Sequence, residues 1–375
     1  MFTAADTTWM RRALQLAERA RGATSPNPMV GAVLVDQNGA LIAEGWHAGP
    51  GEPHAEVVAL EKAGPAAAGA TLYVTLEPCC HWGRTGPCTE RIIAAGVRRV
   101  VAAVVDPNPR VSGKGFSRLA EAGIRVESGL LAREARLLNK GFFTWIVHGR
   151  PYVYAKIAQS LDGKVATRTG ESRWITTEAA RQDAHALRAT VDAIAVGIGT
   201  VLADNPRLTA RPPGPGGRQP LRVIVDSRCR TPLDAACLKE PGATLIATTP
   251  RAPHSRRRAL ERAGAQVWVD ERAGQTVGIE RLLRHLGTLN VTSLLVEGGP
   301  TLLGSFRDED LIDEYWVYIA PRVIGGLKAP SAMGGVGSAA LHDAQPLLDP
   351  TLTPVGPDFK FTGRVRRSHV DGEEA

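Results

Sequence analysis

Four residues in the N-terminal half could together perform hydrolytic metal chemistry. His54 stands two positions before Glu56, and Cys79 and Cys88 lie on either side of a glycine-containing loop. One imidazole and two thiolates provide three protein ligands for zinc and leave a fourth position open for water. Zinc would lower the pKa of that water toward about 7. Glu56, beside the water but not itself a ligand, would take its proton and pass it to a departing amine.

Two neighbouring residues and one other kind of site compete with this interpretation. Cys80 and His81 follow Cys79 directly and are alternative ligands. Adjacent cysteines seldom bind one ion, so we take Cys80 as a bystander, while His81 is equally a substrate contact or an ordinary loop residue. A structural zinc site closed by four ligands is the other alternative. His-x-Glu followed by Pro-Cys is the arrangement of zinc nucleobase deaminases, but eight residues rather than two separate the cysteines here.

The composition indicates a globular protein of two domains. The chain has 375 residues, of which 43% are hydrophobic, and a net charge of +7. No apolar run approaches the roughly 20 residues that span a bilayer, and the first residues lack a signal-peptide pattern, so we expect a cytoplasmic protein. Five cysteines, an odd number, argue against a disulfide framework. The modest charge and few aromatics (5%) argue against extended nucleic-acid binding.

Strands alternate with helices along the first half, which predicts a layered α/β sheet. The pattern predicts helices over 8–21, 54–63, 89–95, 115–122 and 130–139, and strands over 30–35, 41–46, 71–76, 97–105 and 124–127. The third strand leads into Glu77-Pro78, so Cys79 stands where a strand ends and a helix could begin. Backbone N–H groups at a helix start would stabilise its thiolate.

The second half predicts a separate α/β domain that begins near 148–151. Predicted strands cover 152–158, 193–196, 221–225, 243–247, 266–269, 293–296, 314–320 and 358–365, with helices over 177–190, 255–263, 279–286 and 302–307. Two strands run into glycine-containing loops, at 197–200 and 297–301. Glycines before a helix suit a pyrophosphate, but such turns are common and the Rossmann spacing is absent. We expect the polar residues 366–375 to fray.

Four motifs of the first half resemble the bifunctional deaminase–reductases of riboflavin biosynthesis. They are Ser25-Pro-Asn-Pro-Met-Val-Gly-Ala-Val33, His54-Ala-Glu-Val57, Thr75-Leu-Glu-Pro-Cys79 and His81-Trp-Gly-Arg-Thr-Gly-Pro-Cys88. The eight-residue gap between the cysteines is that family's own pattern. The resemblance implies a cytidine-deaminase-like three-layer domain in which His54, Cys79 and Cys88 bind zinc and Glu56 is the proton shuttle. It also places the side chains of three residues near the pyrimidine or its ribose phosphate, namely Asn27, Arg84 and Asp106.

The second half resembles the reductase domain of the same family, which is similar to dihydrofolate reductase in fold. The motifs are Ser160-Leu-Asp-Gly163, Gly170-Glu-Ser-Arg-Trp-Ile175, Val196-Gly-Ile-Gly-Thr-Val-Leu-Ala-Asp-Asn-Pro206 and Val296-Glu-Gly-Gly-Pro-Thr-Leu302. The resemblance implies NADPH contacts from Ala158, Trp174, Thr200, Asp204, Ser227, Gly299, Pro300, Thr301, Leu302, Leu303, Gly304 and Ser305. It implies substrate contacts from Lys156, Ser172, Arg188, Leu208, Arg211 and Glu297. Arg188 and Arg211 also suit a 5′-phosphate, because guanidinium groups bind phosphate bidentately.

Together the two halves predict a bifunctional enzyme, with a zinc-dependent pyrimidine deaminase domain over 1–147 and an NADPH-dependent reductase domain over 151–368. The first would hydrolyse the 2-amino group of 2,5-diamino-6-(5-phosphoribosylamino)pyrimidin-4(3H)-one. The second would reduce the ribosyl group of 5-amino-6-(5-phosphoribosylamino)uracil to ribityl. The expected partner is this small phosphoribosylated pyrimidine, with no nucleic acid and no membrane, and the family implies a homo-oligomer. A nucleic-acid-editing deaminase would leave the second domain unexplained, and a zinc-stabilised binding protein would show four ligands and no turnover.

Overall fold

The chain folds into two compact units, each with its own sheet. The computed structural model describes residues 2–82, 86–211 and 218–372. One unit comprises Met1–Gly149 together with Ser368–Ala375, and the other comprises Arg150–Arg367. Within the described ranges, every helix is too short or too polar to cross a membrane.

The first unit has three layers, with a mixed sheet between two layers of helices. Its strands are Gly31–Val35 (β1), Leu41–Trp46 (β2), Thr71–Val74 (β3), Arg99–Ala102 (β4) and Arg125–Ser128 (β5). Its helices before residue 150 are Ala4–Glu18 (α1), Ala55–Ala63 (α2), Cys88–Ala94 (α3), Lys114–Glu121 (α4), Ala132–Leu138 (α5) and Lys140–His148 (α6). The strand order is β2-β1-β3-β4-β5, with β1 antiparallel to both neighbours and β3, β4 and β5 parallel. Helices α1, α5 and α6 cover one face and α2, α3 and α4 the other, which confirms the predicted three-layer α/β domain.

Two glycines let helices lie directly against this sheet. A Cβ atom on Gly31 would lie 2.0 Å from the carbonyl oxygen of Ala13 in α1. A Cβ atom on Gly45 would lie 2.3 Å from the carbonyl oxygen of Ala55, the first residue of α2. Any larger residue would push the helix away. Because His54 and Glu56 flank Ala55, the second contact also sets their height above the sheet.

The second unit is built on a long and mostly parallel sheet. Its strands are Tyr152–Ser160 (β6), Ala193–Gly197 (β7), Leu221–Val225 (β8), Thr244–Thr248 (β9), Gln266–Val269 (β10), Ser293–Val296 (β11), Glu314–Ala320 (β12), Leu348–Val355 (β13) and Asp358–Arg364 (β14). Its helices are Glu178–Arg188 (α7), Ile198–Asp204 (α8), Ala236–Lys239 (α9), His254–Arg262 (α10), Ile279–Thr288 (α11) and Pro300–Asp308 (α12). The order is β10-β9-β8-β7-β11-β6-β12-β14-β13, parallel from β10 to β12 and antiparallel beyond. Apolar clusters cover both faces, as the α/β prediction requires.

The structure differs from the sequence-based expectation at two places in this unit. Strand β13 was not expected, because Pro350 and Pro354 interrupt its pattern. It lies at the edge of the sheet, where a residue without an N–H group is tolerated. The glycine-containing loop expected at 197–200 is instead largely the first turn of α8, which begins at Ile198.

The C-terminal segment also departs from expectation, because it folds back as a helix of the first unit. Ser368–Asp371 (α13) packs against α5 and α6, and Val370 is buried. His369 Nε2 lies 2.9 Å from Thr144 Oγ1, and His369 Nδ1 lies 2.9 Å from His148 Nε2. These partners stand more than two hundred positions away in the chain, so the local polarity of the segment could not predict them. Residues 373–375 lie outside the described part.

Candidate functional sites

The three predicted metal ligands meet where two helices of the first unit begin. His54 is the residue before α2, and Cys88 is the first residue of α3. The ligand atoms of His54, Cys79 and Cys88 all lie within 4.8 Å of one another. His54 Nδ1 is 3.2 Å from Cys88 Sγ and 3.6 Å from Cys79 Sγ. Ligands bonded to a tetrahedral zinc ion lie roughly 3.3–3.8 Å apart, so this donor set fits one zinc ion.

Hydrogen bonds within this cluster stabilise a thiolate. The thiol of Cys88 donates to Cys79, and together with His54 and the backbone N–H of Cys88 it lowers the pKa of Cys79 to about 4, although burial opposes this. The pKa of Cys88 is raised well above its ordinary value, because its thiol donates a hydrogen bond to Cys79 and the residue is buried. The hydrogen bond to Cys79 raises the pKa of His54 to about 8. The thiolate is the form of cysteine that binds zinc.

Glu56 is a buried carboxyl group beside these ligands, in the first turn of α2. Burial raises its pKa, and the nearby charge of Cys79 adds to the rise, while His54 opposes it. A carboxylate whose pKa is raised accepts a proton from water more readily than an ordinary one. The structure therefore brings the predicted proton shuttle to the predicted metal ligands.

His47 connects Asn27 to the metal ligands, and no motif in the sequence singles it out. Its Nδ1 donates to the carbonyl oxygen of Pro53 (3.1 Å), so its Nε2 accepts from the Asn27 side-chain amide (3.0 Å). Burial lowers the pKa of His47 and keeps it neutral. Its ring packs edge-on against that of His54, with centroids 5.4 Å apart. The only sequence signal is a histidine directly after β2, which is too common to be informative.

The carboxylate of Glu77 joins the loop that carries Cys79 to the start of α4. One oxygen, Oε2, accepts from the backbone N–H groups of Asp106 (3.2 Å) and Gly113 (2.9 Å). The other oxygen, Oε1, accepts from Gly115 (2.9 Å) and Phe116 (3.3 Å). Glu77 itself is buried. This carboxylate therefore holds two neighbouring loops at the same edge of the sheet.

Asp106, a predicted substrate contact, lies buried within the same group of loops. Burial raises its pKa to about 7, and the charges of Glu77 and Cys79 add to the rise. Its Oδ1 accepts from the N–H of Asn108 (2.8 Å). The structure therefore brings Asp106 close to the metal ligands. Arg84, the remaining predicted contact of this domain, lies outside the described residues.

Replacing Glu77 with Gln is expected to destabilise the first unit. The amide keeps one acceptor oxygen and turns an NH₂ group toward two backbone N–H donors, which should cost about 2–4 kcal/mol. Calorimetric unfolding of the full chain measures the loss. Glu90→Gln is the control, because Glu90 forms an exposed ion pair with Arg118 and its loss should leave the transition in place. An unchanged unfolding transition in Glu77→Gln would contradict the conclusion that this carboxylate holds the two loops together.

A cavity of about 1140 Å³ in the second unit brings together most of the predicted reductase residues. Its walls come from β6, α7, α8 and the residues after β11. The predicted residues that line it are Lys156, Ala158, Ser172, Trp174, Arg188, Thr200, Asp204, Leu208, Arg211 and Glu297. A cavity of this size suits a small molecule together with part of a cofactor.

Three charged side chains meet at this cavity. Arg188 donates two parallel hydrogen bonds to Glu297, each 2.5 Å long. Burial alone would raise the pKa of Glu297, but Arg188, with a smaller contribution from Lys156, holds it at about 2. Burial lowers the pKa of Lys156, while the charge of Glu297 opposes the fall. Glu297 is therefore a carboxylate at neutral pH, and Lys156 gives up its proton more readily than an ordinary lysine.

His185 lies between the two arginines predicted to hold phosphate. Arg211 Nη2 is 2.9 Å from His185 Nε2, and Arg188 Nη1 is 3.5 Å from His185 Nδ1. Burial lowers the pKa of His185 to about 4, and both arginine charges add to the fall. The ring is therefore neutral and accepts a hydrogen bond from Arg211. Its position three residues before Arg188 on α7 is the only sequence signal that could have indicated it.

The other predicted cofactor contacts do not line this cavity. Ser227 lies just after β8, and Gly299 precedes α12. A Cβ atom on Gly299 would lie 3.4 Å from Thr200 Oγ1, so the start of α12 adjoins a residue of the cavity wall. The remaining predicted contacts, residues 300–305, all lie in α12. Three of them, Leu302, Leu303 and Gly304, are buried.

Comparisons with known proteins match both halves of the chain. Residues 3–104 match the family described as "Cytidine and deoxycytidylate deaminase zinc-binding region", and residues 151–355 match "RibD C-terminal domain". The riboflavin biosynthesis protein RibD of Bacillus amyloliquefaciens is 44% identical over 367 residues, covering 98% of each chain. Its counterpart from Aquifex aeolicus is 43% identical over 355 residues, covering 94% of this chain and 97% of that protein.

Solved structures show the same similarity over both units. Acinetobacter baumannii RibD (form 1) gives a TM-score of 0.87 at 39% identity and covers 97% of this chain and 99% of that chain. A diaminohydroxyphosphoribosylaminopyrimidine deaminase/5-amino-6-(5-phosphoribosylamino)uracil reductase from Thermotoga maritima gives 0.84 at 34% identity, with 96% and 99% coverage.

Proposed function

Because this chain belongs to the RibD family of riboflavin biosynthesis proteins, we propose that the residues described above carry out that family's two reactions. The chain is a bifunctional enzyme of riboflavin biosynthesis, with a zinc-dependent deaminase domain and an NADPH-dependent reductase domain, as its motifs predicted. We assign the deaminase to residues 1–147 and the reductase to 151–368. The predicted cofactors, Zn²⁺ and NADPH, accord with these two families.

In the first reaction, the 2-amino group of 2,5-diamino-6-(5-phosphoribosylamino)pyrimidin-4(3H)-one is replaced by oxygen and ammonia leaves. His54, Cys79 and Cys88 would hold the zinc ion, which supplies the Lewis acidity that makes water reactive near neutral pH. Glu56 takes a proton from the attacking water and returns it to the departing amine. Asn27, Arg84 and Asp106 hold the pyrimidine and its ribose phosphate. The observation that carries this assignment is the meeting of three ligand atoms within 4.8 Å beside a buried carboxyl group.

In the second reaction, the ribosyl group of 5-amino-6-(5-phosphoribosylamino)uracil is reduced to ribityl, with NADPH supplying the hydride. Arg188 and Arg211 bind the 5′-phosphate, and Lys156 lies beside the reacting ribose. The pairing of Glu297 with Arg188 supports this placement, because it fixes the guanidinium in the cavity wall. Ser172 and Leu208 complete the substrate side. The proposed NADPH contacts are Ala158, Trp174, Thr200, Asp204, Ser227 and the segment from Gly299 to Ser305.

Arg211→Ala is expected to raise the KM of the reductase for its phosphorylated substrate by roughly 10- to 100-fold, since a guanidinium–phosphate contact is lost. The Kd for NADPH should stay the same. Steady-state kinetics with phosphorylated and dephosphorylated substrates measure the effect, which should vanish without the phosphate. Arg207→Ala is the control, because Arg207 lines the same cavity but is paired with Glu240. An unaltered KM in Arg211→Ala would refute the phosphate contact.

We also propose that the protein is a cytoplasmic homo-oligomer. Its second unit exposes several large apolar side chains, including Val323, Leu327, Val336 and Leu341, and among the described strands β13 is the last one at its edge of the sheet. Exposed apolar side chains and a free strand edge favour association with a second copy. The five cysteines are free thiols, which suits a reducing compartment. Sedimentation equilibrium at micromolar concentration tests the association, and a monomer would contradict it.

A further inference from the structure

The short segment that leads to Arg211 is held in place by two other residues at the cavity. The carbonyl oxygen of Thr209 accepts a hydrogen bond from Arg188 Nη1 (3.1 Å). The backbone N–H and the carbonyl oxygen of Ala210 are both bonded to the side-chain amide of Gln219, each at 3.0 Å. Thr209 and Ala210 are themselves buried. The backbone before Arg211 therefore has a defined position, from which the long side chain of Arg211 extends.

Among the described residues, His185 is the one hydrogen-bond partner of the Arg211 side chain. Arg211 Nη2 lies 2.9 Å from His185 Nε2. Arginine has no acceptor atom, so Nε2 accepts and the ring proton is on Nδ1. The ring also forms a hydrogen bond with the backbone of Thr209, and Nδ1–H is the group that donates it. His185 thus connects the side chain of Arg211 to the backbone two residues before it.

The charges around His185 explain why a neutral acceptor suits this position. The guanidinium of Arg188 is paired with the carboxylate of Glu297, so that pair carries no net charge. Arg211, by contrast, has no ion-pair partner within the described ranges. A carboxylate in place of His185 would cancel the charge of Arg211 and compete with an incoming phosphate. The imidazole stays neutral, because burial and the two arginine charges lower its pKa to about 4.

A guanidinium that is held in advance binds an anion at a lower entropic cost. Arg211 is exposed, and an unrestrained arginine samples many rotamers that it must give up when it binds. The hydrogen bond to His185 uses one N–H group and leaves the others for parallel hydrogen bonds to phosphate oxygens. Fixing a side chain near its bound orientation raises affinity, since less entropy is lost on binding.

We propose that His185 is a positioning residue of the reductase, which orients the guanidinium of Arg211 for the 5′-phosphate of the substrate by accepting one of its hydrogen bonds. This inference rests on the proposed phosphate contact of Arg211. His185 does not itself bind the phosphate, because its one N–H group donates to Thr209. Loss of the imidazole should therefore weaken substrate binding only through Arg211 and leave hydride transfer at saturation unchanged.

Steady-state kinetics of the full-length protein with phosphorylated and dephosphorylated substrates test this role. His185→Leu removes the acceptor and should raise the KM for the phosphorylated substrate by about 3- to 10-fold, the effect of one net hydrogen bond. The kcat, and the KM for the dephosphorylated substrate, should change by less than about twofold. His185→Gln offers an amide oxygen near the position of Nε2 and should keep the KM within about twofold of the wild-type value. His342→Leu, at an exposed histidine outside the cavity wall, is the control and should change none of these values.

A double variant tests whether His185 acts through Arg211. Adding His185→Leu to Arg211→Ala should raise the KM by less than about twofold beyond Arg211→Ala alone, because the group that His185 holds is already gone. A double variant whose increase equals the product of the two single increases would overturn the proposal, since His185 would then act independently of Arg211.

The single variants can also overturn the proposal. An unchanged KM in His185→Leu, or an equal rise in His185→Gln, would do so while leaving the phosphate contact of Arg211 in place. An unaltered KM in Arg211→Ala would overturn that contact and this inference together. Calorimetric titration with NADPH should give the wild-type Kd in both His185 variants. Loss of NADPH binding in either one would show that His185 maintains the fold of the cavity instead of orienting Arg211.

Discussion

Glu56→Gln is expected to lower kcat for deamination by about 10³-fold while the first unit keeps its zinc. Glutamine has the shape of glutamate but does not take a proton from water, so only the proton transfer should be lost. The ligands His54, Cys79 and Cys88 are unchanged by the substitution. Ammonia release gives the rate, and metal analysis of the purified protein gives the zinc content.

A control on the same helix separates chemistry from folding. Glu61 lies on α2 but is exposed, so Glu61→Gln should deaminate at the wild-type rate. Unchanged turnover in Glu56→Gln would remove Glu56 from the proton transfer. Loss of zinc together with activity would show that Glu56 maintains the metal site instead of moving the proton.

Arg188→Met is expected to have the largest effect in the second unit. It leaves the buried Glu297 carboxylate without its main partner, which should lower the free energy of unfolding by about 3–5 kcal/mol. Burial would then dominate, and the pKa of Glu297 would rise from its value of about 2. Reduction of the substrate should fall as well, because a proposed phosphate ligand is gone. Denaturant unfolding and NADPH oxidation measure the two losses.

A double variant distinguishes these two roles of Arg188. Arg188→Met combined with Glu297→Gln removes both charges of the pair, so most of the lost stability should return. Reductase activity should not return, since neither residue could then contact the substrate as proposed. Recovery of both stability and activity would contradict the substrate-binding role of the pair, and failure of stability to recover would contradict its description as a buried ion pair.

The sequence predicts most of the site because its signals are local. His54 and Glu56 stand two positions apart at a helix start, and Cys79 and Cys88 lie on either side of one loop, so their chemistry can be recognised without a fold. The eight-residue gap between the cysteines becomes informative only through the family resemblance. Strand periodicity likewise predicts both sheets, since each strand has an apolar pattern of its own.

The residues that the sequence does not reveal are those whose partners are distant in the chain. His47 contacts Asn27 and His54, and His185 accepts a hydrogen bond from Arg211. Glu77 belongs to a recognisable motif, yet its bond to Gly115 exists only once β3 and α4 are adjacent. Strand β13 is similar, because its two prolines are acceptable only at a sheet edge, and the order of the strands determines which strand lies there.

The most direct test of two distinct sites acting in sequence is an assay of NADPH oxidation by the full-length protein. Wild type and Glu56→Gln are each given either the diamino substrate or its deaminated product. The wild type should oxidise NADPH with either compound and release ammonia only from the first. Glu56→Gln should do neither with the diamino substrate, yet should oxidise NADPH at the wild-type rate with the deaminated compound. Oxidation of NADPH by the variant on the diamino substrate, or its failure on the deaminated one, would contradict the assignment of the two reactions to separate sites.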